Sequence, residues 1–426
     1  MQLPLIYERR SDPPFPVPPL KPRAAPPRRV DPPANDGQPP VPFGVAVICL
    51  ILVAQALRPG IVSVGPLLTE IIDDFGLAHA QASLLTAIPT LLMGLLALPT
   101  PWLARRFGRD RVIVVALLVL AAATLARAYA GSTFALFATT AGVGAGIAIA
   151  GALVPGFVKA GFPRQVALLM GLYAMALSMG STFAAAGTGF LGQVFGSWRL
   201  PAGLWAIPPL LGVAAWAYVA SRNVTARMRG TGPRYPLPVG NRTAWLIATY
   251  FAFNNVVFYS FISWLAQFYV ELGHSTASAG LILACFTFAF LVATPLFGAL
   301  SRNEDRRLFL ALAAGIGAAG VFWMAIAPGF LPLVIVSLIA FGAGGSFTLS
   351  MTLPLDNART DTEVASWNAF VLLVSYIVGA IGPVAVGLLR DWSGSFQPSI
   401  WLLAAISAAM LLLAPFLRPH HPATQG

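Results

Sequence analysis

Residues 101–112 read PWLARRFGRDRV, and this basic segment joins two long apolar runs at about 80–103 and 111–130. Four arginines fall within seven positions of it, namely Arg105, Arg106, Arg109 and Arg111, whereas the run before it carries no charged side chain. A transmembrane helix needs about 20 mostly apolar residues. The segment therefore predicts a short polar loop between two membrane-spanning helices.

The same alternation of apolar runs and short loops continues along the 426-residue chain, of which 57% is hydrophobic and only 10% charged. A soluble domain carries about 25% charged residues, so the composition excludes that class. Twelve runs are long enough to span a bilayer, at about 43–69, 80–103, 111–130, 133–157, 165–192, 199–220, 243–271, 277–300, 307–327, 330–355, 363–389 and 397–417. We expect an all-α integral membrane protein with 12 transmembrane helices.

The basic residues predict the orientation. Of the 26 Lys and Arg side chains, 22 fall on the side of the termini, three fall on the other side, and Arg58 lies within a span. Short cytoplasmic loops are enriched in Lys and Arg. We therefore expect a bacterial inner (plasma) membrane protein with both termini in the cytoplasm. The net charge of +11 follows from these loops and does not indicate a nucleic-acid partner.

Composition also divides the chain. Residues 1–42 contain 14 prolines and no apolar stretch of the kind found in signal peptides, which predicts a disordered cytoplasmic tail. We expect an N-terminal six-helix bundle at 43–221, a basic cytoplasmic linker at 222–242, a C-terminal six-helix bundle at 243–418 and a short tail at 419–426.

The two predicted bundles show a weak internal repeat. FGLAHAQASLLTAIPT from Phe75 matches LGHSTASAGLILACFT from Leu272 at an offset of 197 residues, and Pro155 falls on Pro354 at an offset of 199. Parallel six-helix halves of this kind are the organisation of the major facilitator superfamily. PWLARRFGRDRV also resembles the superfamily's loop signature GxLaDrxGrkr, with Arg105 in place of the usual Asp, and FGALSRNEDRR (297–307) resembles a degraded second copy. The resemblance implies a cytoplasmic gate formed by these residues: Arg105, Arg106, Gly108, Arg109 and Arg302.

Three further segments resemble the cyanate permease and nitroimidazole transporter family of the CynX/NimT type. They are LRPGIVSVGPLLTEI (57–71), GLYAMALSMG (171–180) and SYIVGAIGP (375–383). The resemblance implies a secondary transporter of small, often anionic or polar compounds, working as a monomer by alternating access around a central cavity.

Arg58 is the most informative single residue. It lies about 22 Å along its helix at about 1.5 Å per residue, past the middle of a hydrocarbon core about 30 Å thick. A charge at that depth is expensive, so it faces a wet cavity or a partner. The guanidinium could bind an anionic or dipolar substrate in a planar fork. Alternatively it is structural, snorkelling outward or bonding carbonyls freed by Pro59.

The repeat offset places Asn255 opposite Arg58, within a polar stripe on the seventh predicted helix. Such a stripe faces a cavity or bonds neighbouring helices, because polar side chains avoid lipid. The tyrosines in these segments could instead serve as packing or interfacial anchors. We predict the following substrate-binding residues: Arg58, Gln55, Asn254, Asn255, Tyr259, Trp264, Tyr173, Ser178 and Tyr376.

None of the 15 Asp and Glu residues, nor any of the four His, lies in the middle of a span, so no embedded proton relay is evident. Three modes of transport therefore stay open. Transport is coupled to a proton through Glu70 or Asp356, or it is coupled to a counter-solute, or it is facilitated uptake. Metal-ligand, nucleophile and phosphate-loop patterns are absent, so we expect neither an enzyme nor a cofactor.

Three functions remain in view. The first is a permease for a small anionic or polar solute similar to cyanate. The second is an exporter of toxic aromatic compounds such as nitroimidazoles, stacked on Trp264, Tyr173 and Tyr259. The third is a membrane receptor on a transporter fold, which would need the proline-rich tail as an output surface.

Overall fold

The computed structural model describes residues 41–162, 164–222, 236–301, 305–358 and 361–418. These residues form seventeen α-helices and a final 3-10 turn at Ala414–Phe416. The helices are α1 (Phe43–Leu57), α2 (Pro59–Val62), α3 (Val64–Phe75), α4 (His79–Ala82), α5 (Leu84–Leu95), α6 (Thr100–Phe107), α7 (Arg109–Ala128), α8 (Thr133–Gly161), α9 (Val166–Phe195), α10 (Arg199–Leu204), α11 (Ile207–Arg222), α12 (Arg242–Glu271), α13 (Thr276–Leu300), α14 (Arg307–Ile326), α15 (Pro332–Asn357), α16 (Asp361–Ser393) and α17 (Gln397–Leu413).

Within the described residues, eleven helical stretches are long and apolar enough to span a membrane, and a twelfth is the bent pair His79–Leu95 and Thr100–Phe107. The prediction of 12 spans in an all-helical membrane protein is confirmed. The second span is not the straight helix expected at 80–103, because it bends by 65° between the two members of the pair. Pro99 precedes α6 and Pro101 lies in its first turn, where a proline is tolerated because that N–H has no helical partner.

Local capping explains several helix starts. The side chains of Ser132, Asn241 and Ser275 accept hydrogen bonds from backbone N–H groups in the first turns of α8, α12 and α13. The basic loop 101–112 contains almost no free loop, since α6 ends at Phe107 and α7 begins at Arg109. Gly108 joins them at φ +89°, a conformation that favours glycine over any residue with a Cβ.

The helices before residue 223 pack mainly on one another, as do those after residue 241. In the first group α7 lies against α8 and α11; in the second α12 lies against α16, and α14 against α15 and α17. The two groups meet where α9 packs on α13 and where α4 and α5 pack on α16. A site reached by α9, α12 and α16 therefore lies between the halves.

Some predicted features lie outside the described residues: the tail over residues 1–40, residues 223–235 of the linker, Arg302 and the end of the chain from residue 419. The domain limits predicted from the sequence therefore stay a prediction.

Candidate functional site between the two halves

The first span is broken at the residue predicted to bind substrate. Helix α1 ends at Leu57 and α2 begins at Pro59, so Arg58 occupies the junction between them. Proline has no N–H to donate to the carbonyl of Gln55, which interrupts the helical hydrogen-bond ladder at this point. The break lets the half-buried Arg58 side chain leave the helix towards the second half of the protein.

Aromatic hydroxyl groups from both halves surround the Arg58 guanidinium. Nη1 donates a long hydrogen bond of 3.5 Å to Tyr259 Oη on α12, and that hydroxyl in turn lies 3.8 Å from Met93 Sδ on α5. The Tyr376 ring of α16 lies 6.2 Å from the Tyr259 ring. Tyr376 and Tyr173 of α9 are both within electrostatic range of Arg58. Four of the residues predicted for the site are thus brought together.

A cavity opens beside this cluster, with walls from both halves. Its lining residues are Arg58, Ala174, Leu177, Ser178, Ser181, Phe258, Thr287, Phe290, Thr294 and Phe347. Ser178 was predicted, whereas the hydroxyls of Ser181, Thr287 and Thr294 were not. The centres of water-sized molecules can occupy about 70 Å³ of the cavity. Since one water needs about 10–15 Å³ on this measure, there is room for a few waters or one small solute.

The charge of Arg58 has no carboxylate partner in the described part of the chain. Among the residues that the structure describes, no Asp or Glu lies within ion-pair distance of its guanidinium. A guanidinium keeps its positive charge at any ordinary pH. The cavity therefore combines one cation with several hydroxyl groups, and this combination can accept a negatively charged solute.

Four other predicted residues lie away from the cavity wall. Gln55 is half-buried in the last turn of α1, close to α9. Asn254 lines a different, much smaller cavity inside the second half, and Asn255 points its Cβ at Gly379 of α16. Trp264 donates a 2.9 Å hydrogen bond to the carbonyl of Pro383. Of the residues predicted for the site, Arg58 and Ser178 are the two among those lining the cavity itself.

The predicted gate residues lie around the junction of α6 and α7. Arg109 is buried, contacts Asp110 at 3.3 Å and donates a 3.4 Å hydrogen bond to the carbonyl of Gly156, which fixes the start of α7 to α8. Arg106 lies over the rings of Trp102 and Phe107, and Arg105 is exposed. These contacts all stay within the first half.

The sequence analysis missed a connection between the halves, where the start of α4 meets the end of α16. Asp391 of α16 accepts hydrogen bonds from the backbone N–H groups of His79 and Ala80, at 2.9 and 2.8 Å, and contacts the His79 ring at 2.7 Å. The other ring nitrogen lies 3.2 Å from Gln267 Nε2 on α12. We call the pair His79 and Asp391 the latch. The one hint in the sequence is that both residues lie at the ends of predicted spans, on the same predicted side of the membrane.

The described residues contain no group of three or more His, Cys, Asp or Glu side chains that could hold a metal ion. The two cysteines, Cys49 and Cys285, are free.

One protein family and several known proteins match this chain. The model of the Major Facilitator Superfamily matches residues 46–363 and 271–426. The cyanate transport protein CynX of Escherichia coli is 31% identical over 370 residues, covering 86% of this chain and 95% of that protein. The 2-nitroimidazole transporter of the same organism is 28% identical over 382 residues, covering 86% and 94%.

One further relative and two solved structures also match this chain. The nitrite extrusion protein of Bacillus subtilis is 23% identical over 364 residues, covering 83% of this chain and 89% of that protein. A bacterial homologue of the human lysosomal transporter Spinster, solved inward-facing and occupied, matches with a TM-score of 0.72 at 18% identity, covering 88% and 96%. A D-xylose–proton symporter matches with a TM-score of 0.66 at 17% identity, covering 89% and 98%.

Proposed function

Because the chain belongs to the Major Facilitator Superfamily and is a membrane transporter rather than an enzyme, we propose that it carries a small monovalent anion across the bacterial inner membrane. The anion binds at Arg58 between the two halves, which expose the site to each side of the membrane in turn. The observation that carries the proposal is the unbalanced guanidinium of Arg58 beside Tyr259 in a cavity lined by both halves.

The charge and the size of the cavity support the same class of substrate. One guanidinium without a carboxylate favours a single negative charge, and a planar fork of donors suits an anion with two or more acceptor atoms. Room for only a few waters favours a solute of three or four heavy atoms. Cyanate and nitrite, the substrates named for two of the relatives, have this charge and size.

The sequence patterns support further parts of the proposal. The distribution of Lys and Arg favours cytoplasmic termini, and the superfamily resemblance favours a functional monomer with a gate at Arg105, Arg106, Gly108, Arg109 and Arg302. Neither calls for a nucleic-acid partner. No carboxylate contacts Arg58 among the described residues. Transport is therefore coupled either to a proton carried by the substrate itself or to exchange for another anion.

A second candidate function is export of a nitro-aromatic compound. The rings of Phe258, Phe290 and Phe347 form a continuous aromatic wall beside Arg58, with neighbouring ring centroids 4.7 and 5.6 Å apart. Such a wall could stack on a flat heterocycle, the type of substrate named for the 2-nitroimidazole transporter.

Ligand-dependent thermal unfolding of the purified protein separates these candidates. Cyanate, nitrite, 2-nitroimidazole and neutral urea would be tested on the wild type, on Arg58→Gln, and on Arg242→Gln, which removes one exposed guanidinium outside the proposed gate. A ligand at 100 times its Kd adds about 2.7 kcal/mol to the free energy of unfolding. We expect the anions to stabilise the wild type and Arg242→Gln but not Arg58→Gln, and urea to stabilise none.

Uptake into proteoliposomes then confirms that the stabilising anion is transported. If 2-nitroimidazole stabilises the wild type and Arg58→Gln equally while the anions stabilise neither, the anion proposal is wrong and the second candidate is supported.

A further inference from the structure

A cavity much larger than the central one lies away from the Arg58 site, on the outer surface of the first half. It is a groove between α7 and α8 that extends under α6. Its volume is about 660 Å³, compared with about 70 Å³ for the central cavity. Its lining includes Ala116 and Gly146, which are buried, Ile149, which is half-buried, and Val115 and Val119, which are exposed. Since α7 and α8 span the membrane, the open side of this groove faces the hydrocarbon chains of lipid.

The apolar part of the groove fits the depth of one leaflet. Val115 and Val119 expose 57% and 40% of their surface, so no described part of the chain covers them. From Arg111 to Val119 the helix rises by about 12 Å at about 1.5 Å per residue. Half of a hydrocarbon core about 30 Å thick is about 15 Å, so the groove extends most of the way to the bilayer centre.

Two arginines line the end of the groove nearest the aqueous boundary. Arg106 comes from the last turn of α6 and Arg111 from the first turn of α7, and both are exposed. Neither has a carboxylate partner among the described residues. The rings of Trp102 and Phe107 hold the Arg106 guanidinium at 5.5 and 5.6 Å from their centroids. Arg111 also lies at a helix N-terminus, which favours a negative charge.

We propose that this groove binds one anionic phospholipid, with a chain along Val115 and Val119 and the phosphate between Arg106 and Arg111. The charge at one end selects an anionic headgroup, and the apolar length below it selects a molecule with an acyl chain. Arginine suits the headgroup because its planar donors bind phosphate oxygens in pairs. The proposal is independent of the transported substrate, since the groove shares no residue with the central cavity.

Native mass spectrometry of the full-length protein in detergent tests this. Phosphatidylglycerol and phosphatidylcholine with identical chains would be titrated, together with glycerol phosphate, which has the anionic headgroup but no chain. We expect one phosphatidylglycerol to bind the wild type in preference to phosphatidylcholine, and glycerol phosphate to bind far more weakly. Arg106→Gln and Arg111→Gln should each weaken phosphatidylglycerol binding about fivefold.

Two variants sharpen the result. Arg105→Gln removes the same charge from the same helix but does not line the groove, so it should bind phosphatidylglycerol like the wild type. Val115→Trp fills the groove and keeps both arginines, so it should lose the lipid. The proposal is overturned if both lipids bind equally, if Arg105→Gln weakens binding as much as Arg106→Gln does, or if the lipid still binds Val115→Trp at wild-type strength.

Discussion

The guanidinium of Arg127 donates a hydrogen bond of 2.9 Å to the carbonyl oxygen of Gly60, two residues beyond Arg58. Arg127 lies in the last turn of α7 with only 2% of its surface exposed, and its Nη2 has no partner among the described residues. Gly60 belongs to α2, the four-residue helix between the two breaks of the first span. Arg127 therefore fixes the backbone from which the Arg58 side chain projects.

We predict that Arg127→Met weakens both folding and anion binding. The change leaves the Gly60 carbonyl without its charged donor, and a hydrogen bond to a charged group contributes about 1.5–3 kcal/mol to the free energy of unfolding. Freed from this contact, α2 no longer holds Arg58 in one position, so the Kd for the transported anion should rise about tenfold. Thermal unfolding without ligand and anion binding to the folded protein measure the two effects separately.

Arg127→Lys is the conservative control, because an ammonium can still donate to Gly60 without the rigid fork of arginine. It should recover part of both losses. A lowered unfolding temperature with an unchanged Kd in Arg127→Met would show that Arg127 only stabilises the fold and does not position Arg58.

The latch gives a second prediction. Asp391 binds two backbone N–H groups and the ring of His79, so Asp391→Ala removes three contacts between the halves at once. We expect the two halves to separate more often at this point. A cysteine introduced by Ser263→Cys, buried in the wild type at 1% exposure, should then react several-fold faster with a membrane-impermeant maleimide. Cys49 and Cys285 would be replaced by serine beforehand.

Arg390→Gln is the matched control for the latch. Arg390 is the neighbour of Asp391, but its 3.3 Å contact with Glu271 joins α16 to α12 within the second half. A partly exposed ion pair of this kind contributes about 0–1 kcal/mol. Labelling of Ser263→Cys at the same rate in both variants would contradict a role of the latch in closing the cavity.

The sequence predicted the spans and the inward placement of Arg58 for a clear physical reason. Long apolar runs fix the number of helices, and a charge within a span must avoid lipid, so Arg58 had to face a cavity or a partner. The face of each helix was harder to predict. Residues on a helix are about 100° apart, so Asn254 and Asn255 cannot share one direction. Trp264 is five positions from Tyr259, about 140° around α12 and about 7.5 Å along it.

Contacts between distant segments lay beyond prediction altogether. Arg127 lies near the end of the apolar run at 111–130, and nothing near it in the sequence indicates that its long side chain turns inward to Gly60. The partners His79 and Asp391 are 312 positions apart in the chain. Nothing in local sequence indicates which of several polar residues at span ends will meet after folding.

The hydroxyl of Tyr259 should tune anion binding rather than create it. Its hydrogen bond to Arg58 is long, at 3.5 Å, so Tyr259→Phe removes a weak contact and leaves the guanidinium in place. We expect the Kd for the anion to rise about threefold, whereas Arg58→Gln should abolish measurable binding. Isothermal titration of both variants tests this order.

Tyr376→Phe is the control for this comparison. The Tyr376 ring lies beside the Tyr259 ring, but among the described contacts the Tyr376 hydroxyl forms no hydrogen bond with Arg58. It should change the Kd less than Tyr259→Phe does. A Tyr259→Phe variant that loses all binding would mean that the phenol, and not the guanidinium alone, anchors the anion.

The crossing of α9 and α13 supplies a last prediction about closure between the halves. Gly189 lies so close to α13 that an added Cβ would be 2.6 Å from the backbone oxygen of Thr276, and a backbone atom cannot move aside as a side chain can. Gly189→Ala should therefore force the helices apart, at a cost of about 1–3 kcal/mol in the free energy of unfolding.

Gly171 is on the same helix with nothing within 4 Å of its added Cβ, so Gly171→Ala should instead be neutral or slightly stabilising. Thermal unfolding of the two variants measures the difference, and the cysteine at position 263 should become more reactive only in Gly189→Ala, because only that change separates the halves. Equal unfolding temperatures for the two variants would show that the halves do not close against each other at this crossing.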